Sequence, residues 1–273
     1  MGIVKVNGVE LECRVLGSGE PVLLIDPALP DAFLPVLEEP VLADRFQLIT
    51  YRKRGWGGST HAPGPVSIED HAADAAALLG HFGIARAHIV GHSSGALVAM
   101  QLALDAPELV HSLALLEPSA FVVPIAPAFL EEAGPVFAAH DAGDHEGAVA
   151  GFLSAVSGLD WETCRAVIDE HAPGAVVQAV KDADTFFGVE LPSLTVWAPD
   201  AELMAAISQP VLSVLGTRTQ PLWVEVAEQL HTWFPQVEDL SVEGAGHLLQ
   251  VQQPEPVARG VAEFLGRHPL SDN

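Results

Sequence analysis

Short runs of apolar residues recur along the chain and alternate with helical patterns. The apolar runs show no polar alternation and lie at residues 22–25, 47–50, 87–90, 113–116 and 210–215. Strands that are covered on both faces have this pattern, whereas half-exposed strands alternate. Helical patterns follow at residues 67–81 and 95–104, and a strand at 237–242 and a helix at 254–265 close the chain. Alternating strands and helices predict a doubly wound, mostly parallel α/β sheet.

The first residues have a different pattern. Asn7-Gly8 lies between two alternating runs, at residues 3–6 and 9–15. This dipeptide is typical of the two-residue turn of a β-hairpin. We therefore expect an antiparallel edge before the parallel strands.

Residues 120–205 interrupt the alternation, because helical patterns follow one another there with no apolar strand between them. These patterns cover residues 126–140, 146–157, 162–171 and 175–187. In the last one, apolar residues recur at helical spacing and form one apolar face. We interpret this segment as a helical cap inserted into an α/β core that consists of residues 1–119 and 206–273.

The charge balance narrows the classes of partner. The chain has 36 acidic and 12 basic residues and a formal net charge of −24, which excludes nucleic acid and anionic membranes as expected partners. No stretch reaches the roughly 18 consecutive apolar residues of a membrane span, and the first residues do not resemble a secretory signal. We therefore expect a soluble, cytoplasmic protein in which Cys13 and Cys164 are reduced.

The strongest chemical motif is Gly91-His92-Ser93-Ser94-Gly95, which follows a predicted strand and opens a predicted helix. In this context the pattern predicts a tight turn that exposes a serine hydroxyl, so Ser93 is the candidate nucleophile. A serine needs a base to take its proton. His247 is the best placed of the twelve histidines, because it follows the last strand on a glycine-containing loop at the same edge of the sheet.

Three motifs together resemble the α/β-hydrolase superfamily. They are the 91–95 motif, the stretch Arg54-Gly55-Trp56-Gly57-Gly58-Ser59, which is similar to an R-G-x-G-x-S loop, and the G-x-G-H sequence that ends at His247. The resemblance covers nearly the whole chain and implies an α/β-hydrolase fold and a serine hydrolase. The chain departs from the family pattern at residues 215–219, where the usual aspartate is missing, and at Asp26-Pro27, where relatives usually have His-Gly.

Glu117 is the candidate for the missing acid. It ends the predicted strand that follows the helix after Ser93, and neighbouring parallel strands lie about 5 Å apart with their carboxyl ends at one edge of the sheet. A carboxylate there can reach His247. This arrangement is similar to that of α/β-hydrolases with the acid on the earlier strand, among them the zearalenone lactonases. Asp26, or the absence of an acid, remains the alternative.

Two backbone N–H groups are candidates for the oxyanion hole. Ser94 opens the helix after the nucleophile, where the helix dipole favours an anion. The second donor is expected from the loop after the first parallel strand. Pro27 has no N–H, which leaves Ala28 as the first residue past the motif that can donate.

These residues predict a hydrolase that cleaves a carboxylic ester or lactone through an acyl-enzyme, without a cofactor or a catalytic metal. Cleavage of a C–C bond or a thioester by the same residues remains an alternative, as does a weakly catalytic, ligand-binding role. Aromatic residues in the loops and the predicted cap favour a small apolar or aromatic substrate. The candidate substrate-binding residues are Phe121, Phe187 and Trp197.

Overall fold

A single eight-stranded sheet organises the molecule, whose computed structural model describes residues 1–61 and 64–270. The strands are β1 (Gly2–Val6), β2 (Val9–Leu16), β3 (Glu20–Ile25), β4 (Phe46–Tyr51), β5 (Ala87–His92), β6 (Val110–Leu116), β7 (Val211–Gly216) and β8 (Glu238–Val242). Their order across the sheet is β1-β2-β4-β3-β5-β6-β7-β8. Pairing is antiparallel from β1 to β4 and parallel from there to β8. This confirms the predicted mostly parallel sheet.

The predicted hairpin joins β1 to β2. Val6 pairs with Val9 across the turn, and both turn residues have positive φ, 47° at Asn7 and 77° at Gly8. A two-residue type I′ turn needs positive φ at both central positions, and asparagine and glycine adopt it at the lowest cost. The hairpin is therefore confirmed.

Helices cover both faces of the sheet. Those before β6 are α1 (Leu34–Leu37), α2 (Pro40–Ala43), α3 (Ile68–His81) and α4 (Ser94–Asp105). Helix α3 begins with a capping box in which Ser67 and Asp70 bond each other's backbone N–H. The sequence patterns did not predict the two short helices α1 and α2.

A second group of helices lies between β6 and β7, and we call it the inserted helices. It comprises α5 (Ala126–Glu132), α6 (Gly134–Asp141), α7 (His145–Ser157), α8 (Trp161–His171), α9 (Ala175–Lys181), α10 (Ala183–Thr185), a π-helix (Phe186–Glu190), α11 (Leu191–Val196) and α12 (Ala201–Met204). Residues 117–210, all of which the structure describes, contain no strand. The helix expected over 126–140 is two helices, because Pro135 fits the first turn of α6 but not a helix interior. The helix expected over 175–187 is divided into α9, α10 and the π-helix.

Three helices follow β7: α13 (Pro221–Trp233), α14 (Leu249–Gln252) and α15 (Pro254–Arg267). Of these, only α15 was predicted. Successive residues of the central strands pack into two separate clusters: Leu23 and Ile25 on one face, Val22 and Leu24 on the other. The strands are thus covered on both faces, as their unbroken apolar runs indicate.

Two smaller expectations concern cysteines and membrane spans. Cys13 and Cys164 are both free and buried. Within the described ranges, no helix has both the length and the apolar character to cross a membrane.

Candidate active site

Ser93 occupies a strained turn between β5 and α4. Its φ is 55° and its ψ is −118°, a conformation that side-chain-bearing residues seldom adopt. The two flanking glycines explain how the chain can turn so sharply. A Cβ on Gly91 would lie 2.5 Å from the carbonyl oxygen of Gly95, and a Cβ on Gly95 would collide with the carbonyl oxygen of Ile25. The G-x-S-x-G spacing is therefore a steric requirement of this turn.

His247 and Glu117 form a buried pair at the carboxyl edge of the sheet. Nδ1 of His247 lies 2.8 Å from Oε2 of Glu117, and the two side chains are 3% and 0% exposed. Glu117 directly follows β6 and is held by two further donors. The N–H of Gly216 donates to Oε1, and the hydroxyl of Thr219 donates to Oε2, each at 2.8 Å. The carboxylate thus contacts residues 215–219, the segment in which the usual aspartate is missing.

Burial shifts the titration of both members of this pair toward the neutral forms. It raises the pKa of Glu117 to about 7, against the opposing effect of the Gly216 N–H and the Thr219 hydroxyl. It lowers the pKa of His247 to about 3. Since water cannot stabilise an imidazolium at this position, the neighbouring carboxylate is the group that can do so.

Aromatic rings enclose His247. The indole of Trp223 stacks on the imidazole, with ring centroids 3.7 Å apart and planes inclined by 21°. The ring of His92 lies on another side at 4.7 Å, and its Nδ1 is 2.8 Å from the amide nitrogen of Gln250. His92 neighbours Ser93 in the 91–95 motif, and its ring packs against the candidate base. Trp223 lies in α13, which the sequence patterns did not predict.

The hydroxyl of Ser93 has a partner that the sequence did not indicate. Its Oγ lies 2.7 Å from Oγ of Ser119, and Ser119 follows Glu117 by two residues. The structure describes both Ser93 and His247, and no hydrogen bond joins their side chains. The side chains of Ser93 and His247 nevertheless line one cavity, and in enzymes without substrate this hydrogen bond is often long and tightens when substrate binds.

The candidate oxyanion donors line the same cavity as the nucleophile. Ala28 follows β3, and Ser94 is the first residue of α4, so its N–H has no partner inside the helix. The carboxylate of Asp26 has other partners, because it accepts hydrogen bonds from the N–H groups of Asp31 and Phe33. Burial is the largest cause that raises the pKa of Asp26 to about 7. The alternative that Asp26 pairs with the histidine is not what the structure shows.

A buried ion pair joins the nucleophile turn to the inserted helices. Nζ of Lys53 donates to Oε1 of Glu190 at 2.6 Å and to the hydroxyl of Ser94 at 2.9 Å. The indole N–H of Trp56 donates to the other oxygen of Glu190 at 2.7 Å. Burial pushes the pKa of Glu190 upward, but the charge of Lys53 and smaller contributions outweigh it and leave the pKa below its ordinary value. Trp56 belongs to the 54–59 stretch singled out in the sequence and Lys53 directly precedes that stretch, whereas Glu190 in the π-helix was not predicted.

The cavity over Ser93 is small and mostly apolar. Its volume is about 20 Å³, and its remaining walls are Ser119, Phe121, Phe129, Phe152, Val156, Phe186, Leu191, Leu194 and Trp223. A volume of this size holds about one water molecule. Most of these walls come from the inserted helices, which therefore cover Ser93.

The three predicted substrate-binding residues have different positions. Phe121 lines the cavity over Ser93. Phe187 packs on the far side of Phe186, against the ring of His140, and lines a groove elsewhere on the inserted helices. Trp197 is buried, and its indole N–H donates to the side chain of Gln101 in α4 at 3.0 Å. The structure therefore brings only Phe121 to the nucleophile.

Comparison with known proteins agrees with this fold. The family model described as the alpha/beta hydrolase fold matches residues 21–254. The chain belongs to the α/β-hydrolase family. A thermophilic esterase from Thermogutta terrifontis superimposes on this α/β-hydrolase with a TM-score of 0.81 and 24% identity, covering 98% of this chain and 100% of that one. The enol-lactonase from Burkholderia xenovorans superimposes with a TM-score of 0.81 and 20% identity, and the match covers 97% of this chain and 100% of that one. At these identities the likeness shows the fold alone.

A curated relative matches a shorter segment. A fluoroacetate dehalogenase from a Burkholderia species is 33% identical over 123 residues, which are 42% of this α/β-hydrolase and 40% of the relative. The match therefore spans about two fifths of that protein's length. The reaction in that protein's name is a property of that protein.

Proposed function

We propose that this α/β-hydrolase cleaves carboxylic esters or lactones of small molecules through an acyl-enzyme on Ser93. The observation that carries the proposal is the joint placement of Ser93 in a strained turn and of a buried Glu117–His247 pair beside the same cavity. A nucleophile, a base and an orienting acid are the parts that such a reaction needs.

The reaction begins with proton transfer from Ser93. The bond from Nδ1 of His247 to Glu117 leaves Nε2 free to accept the proton as Oγ of Ser93 turns from Ser119 and attacks the carbonyl carbon. The N–H groups of Ala28 and Ser94 stabilise the resulting oxyanion. Glu117 stabilises the imidazolium, which Trp223 shields from water.

The acyl-enzyme is then formed and hydrolysed. The tetrahedral adduct collapses, its C–O bond to the leaving group breaks, and the imidazolium of His247 protonates the departing oxygen. Water next attacks the acyl carbon and gives its proton to His247. The second adduct releases the carboxylic acid and restores the hydroxyl of Ser93. In a lactone the leaving oxygen stays attached to the product, which is a hydroxy acid.

The inserted helices are proposed to act as a cap that selects an apolar substrate. Phe129, Phe152 and Phe186 bring their rings from these helices over Ser93, and they favour apolar or aromatic acyl groups. The cavity of about 20 Å³ corresponds to a closed state, so the cap must open for substrate and close for the reaction. The position of the acid on the strand before the cap supports kinship with α/β-hydrolases of the zearalenone-lactonase type.

The decisive experiment is covalent trapping on Ser93. A fluorophosphonate probe should label the wild-type protein once, and peptide mass spectrometry should place the label on Ser93. Two adjacent variants form a matched pair. Ser93→Ala should lose the label and Ser94→Ala should keep it, because only Ser93 is the proposed nucleophile. Labelling that persists in Ser93→Ala, or a wild-type protein that is neither labelled nor active on aryl esters, would show that the proposal is wrong and favour a ligand-binding role.

A further inference from the structure

Two histidines and an aspartate meet at the outer side of the inserted helices, away from Ser93. His140 lies near the end of α6, His145 is the first residue of α7, and Asp184 lies in α10. Nε2 of His140 is 3.0 Å from Oδ1 of Asp184, and Nε2 of His145 is 3.3 Å from the same oxygen. One potential ligand atom from each residue lies within 4.8 Å of the other two.

These separations match those between the ligands of a tetrahedral metal ion. Ligand atoms that are 2.0–2.1 Å from zinc at tetrahedral angles lie about 3.3 Å from one another. Both histidine–aspartate distances are close to this value, and the two histidine nitrogens lie within 4.8 Å of each other. The two Nε2 atoms converge on one point, because both lie beside the same oxygen of Asp184.

The donor set favours a transition metal over magnesium or calcium. Two imidazoles and one carboxylate suit zinc and its first-row neighbours, whereas the two alkaline-earth ions prefer oxygen ligands. A carboxylate also stands near the outer nitrogen of one ligand: Oδ1 of Asp141 is 3.7 Å from Nδ1 of His140. This contact is longer than a hydrogen bond, so the carboxylate of Asp141 has to move closer before it can fix the ring as the carboxylate partners of zinc-bound histidines do.

We infer that His140, His145 and Asp184 form a binding site for one zinc-type divalent ion, with water completing the coordination. The ion would tie α6, α7 and α10 together. It would also act on the cavity wall, because His140 packs on Phe187 with centroids 5.0 Å apart, and Phe187 packs on Phe186 at 4.8 Å. The bound ion would therefore hold the inserted helices in the arrangement that closes over Ser93. Binding of the ion does not depend on the proposed hydrolysis.

The test measures metal uptake by the full-length protein after chelator treatment. Dialysis against zinc followed by metal analysis should give one bound equivalent for the wild type and for Ser93→Ala. Cobalt should bind with the visible absorption of a tetrahedral site. Asp184→Asn, His140→Ala and His145→Ala should each weaken binding by at least about tenfold, in line with the loss of one of three ligands.

A matched control uses a histidine that faces a single carboxylate. Nε2 of His231 is 3.1 Å from Oδ1 of Asp239, and among the described residues this pair belongs to no cluster of three potential metal ligands. His231→Ala should therefore bind zinc as the wild type does. Zinc in large excess over its Kd should raise the Tm of the wild type by about 5 °C and leave that of Asp184→Asn unchanged. Asp184 is 80% exposed, so this variant should fold.

Two results would overturn the inference. One is a wild-type protein that takes up no stoichiometric zinc or cobalt at micromolar concentrations, in which case Asp184 is only a hydrogen-bond partner shared by the two histidines. The other is unchanged binding by Asp184→Asn or by either histidine variant, which would place the ion elsewhere. Loss of binding in Ser93→Ala would contradict the separation of this site from the nucleophile.

Discussion

Glu117 and His247 are separated by 130 residues in the sequence, and their side chains meet at 2.8 Å in the folded chain. Thr219 donates to the same carboxylate oxygen that faces the imidazole. The segment in which the usual aspartate is missing therefore contributes a hydrogen-bond donor to the carboxylate that faces His247.

Glu117→Gln should lower kcat on an aryl ester by about 10³- to 10⁴-fold. The amide keeps the size of the side chain but cannot stabilise an imidazolium, and it favours the wrong histidine tautomer. Thr219→Val is the matched control, because it removes one neutral donor from the same oxygen and should cost less than about tenfold. Steady-state kinetics at pH 8 would measure both. A near wild-type Glu117→Gln with an inactive Thr219→Val would refute the assignment of the acid.

The same substitution should also remove a pH dependence from the free energy of unfolding. Burial raises the pKa of Glu117 to about 7 in the folded state, against about 4.3 in an unfolded chain. The folded state thus binds more protons between these values, and its stability falls as the pH rises through them. Relative to wild type, the free energy of unfolding of Glu117→Gln should increase by about 1–3 kcal/mol from pH 4.5 to pH 8.

Urea unfolding of both proteins at the two pH values measures this difference. Other titrating groups, such as Asp26, are present in both proteins and largely cancel in the comparison. A difference in unfolding free energy that does not change with pH would show that Glu117 titrates as an ordinary carboxyl group in the folded protein.

Glu190→Gln should destabilise the fold, because it leaves the charge of Lys53 buried without a counter-ion. The two side chains are 1% and 2% exposed, and breaking such a pair costs about 3–5 kcal/mol. The Tm should therefore fall by about 10 °C. The double variant Lys53→Met with Glu190→Met removes both charges and should be more stable than the single variant. If the double variant is the less stable of the two, the unpaired charge is not the cause.

Phe121→Ala should change substrate preference, whereas Trp197→Ala should not. Phe121 lines the cavity over Ser93, so kcat/KM for a bulky apolar ester should fall about tenfold and that for an acetate ester by less than threefold. Trp197 bonds Gln101 in the interior, and its loss should lower both values equally through stability. Paired kinetics on the two esters would decide. Equal losses in Phe121→Ala would remove it from the substrate site.

The sequence determined the features that depend on neighbouring residues. Unbroken apolar runs indicated strands covered on both faces, and Asn7-Gly8 indicated the hairpin, because both patterns follow from local geometry. The turn at Ser93 could be predicted from the sequence for the same reason. Its glycines are dictated by contacts within a few residues and with the adjacent strand. Even Glu117 could be proposed from the sequence, since neighbouring parallel strands end at one edge.

The tertiary structure decided the contacts that join distant segments. Trp223 stacks on His247, Ser119 holds the hydroxyl of Ser93, and Glu190 pairs with Lys53. None of these has a local pattern, because each depends on how a helix or loop packs after the sheet has formed. Trp197 and Phe187 show the same limit: an apolar ring in an inserted segment can face the site or the interior with equal hydrophobic gain. Only the packing of the inserted helices against the sheet distinguishes the two.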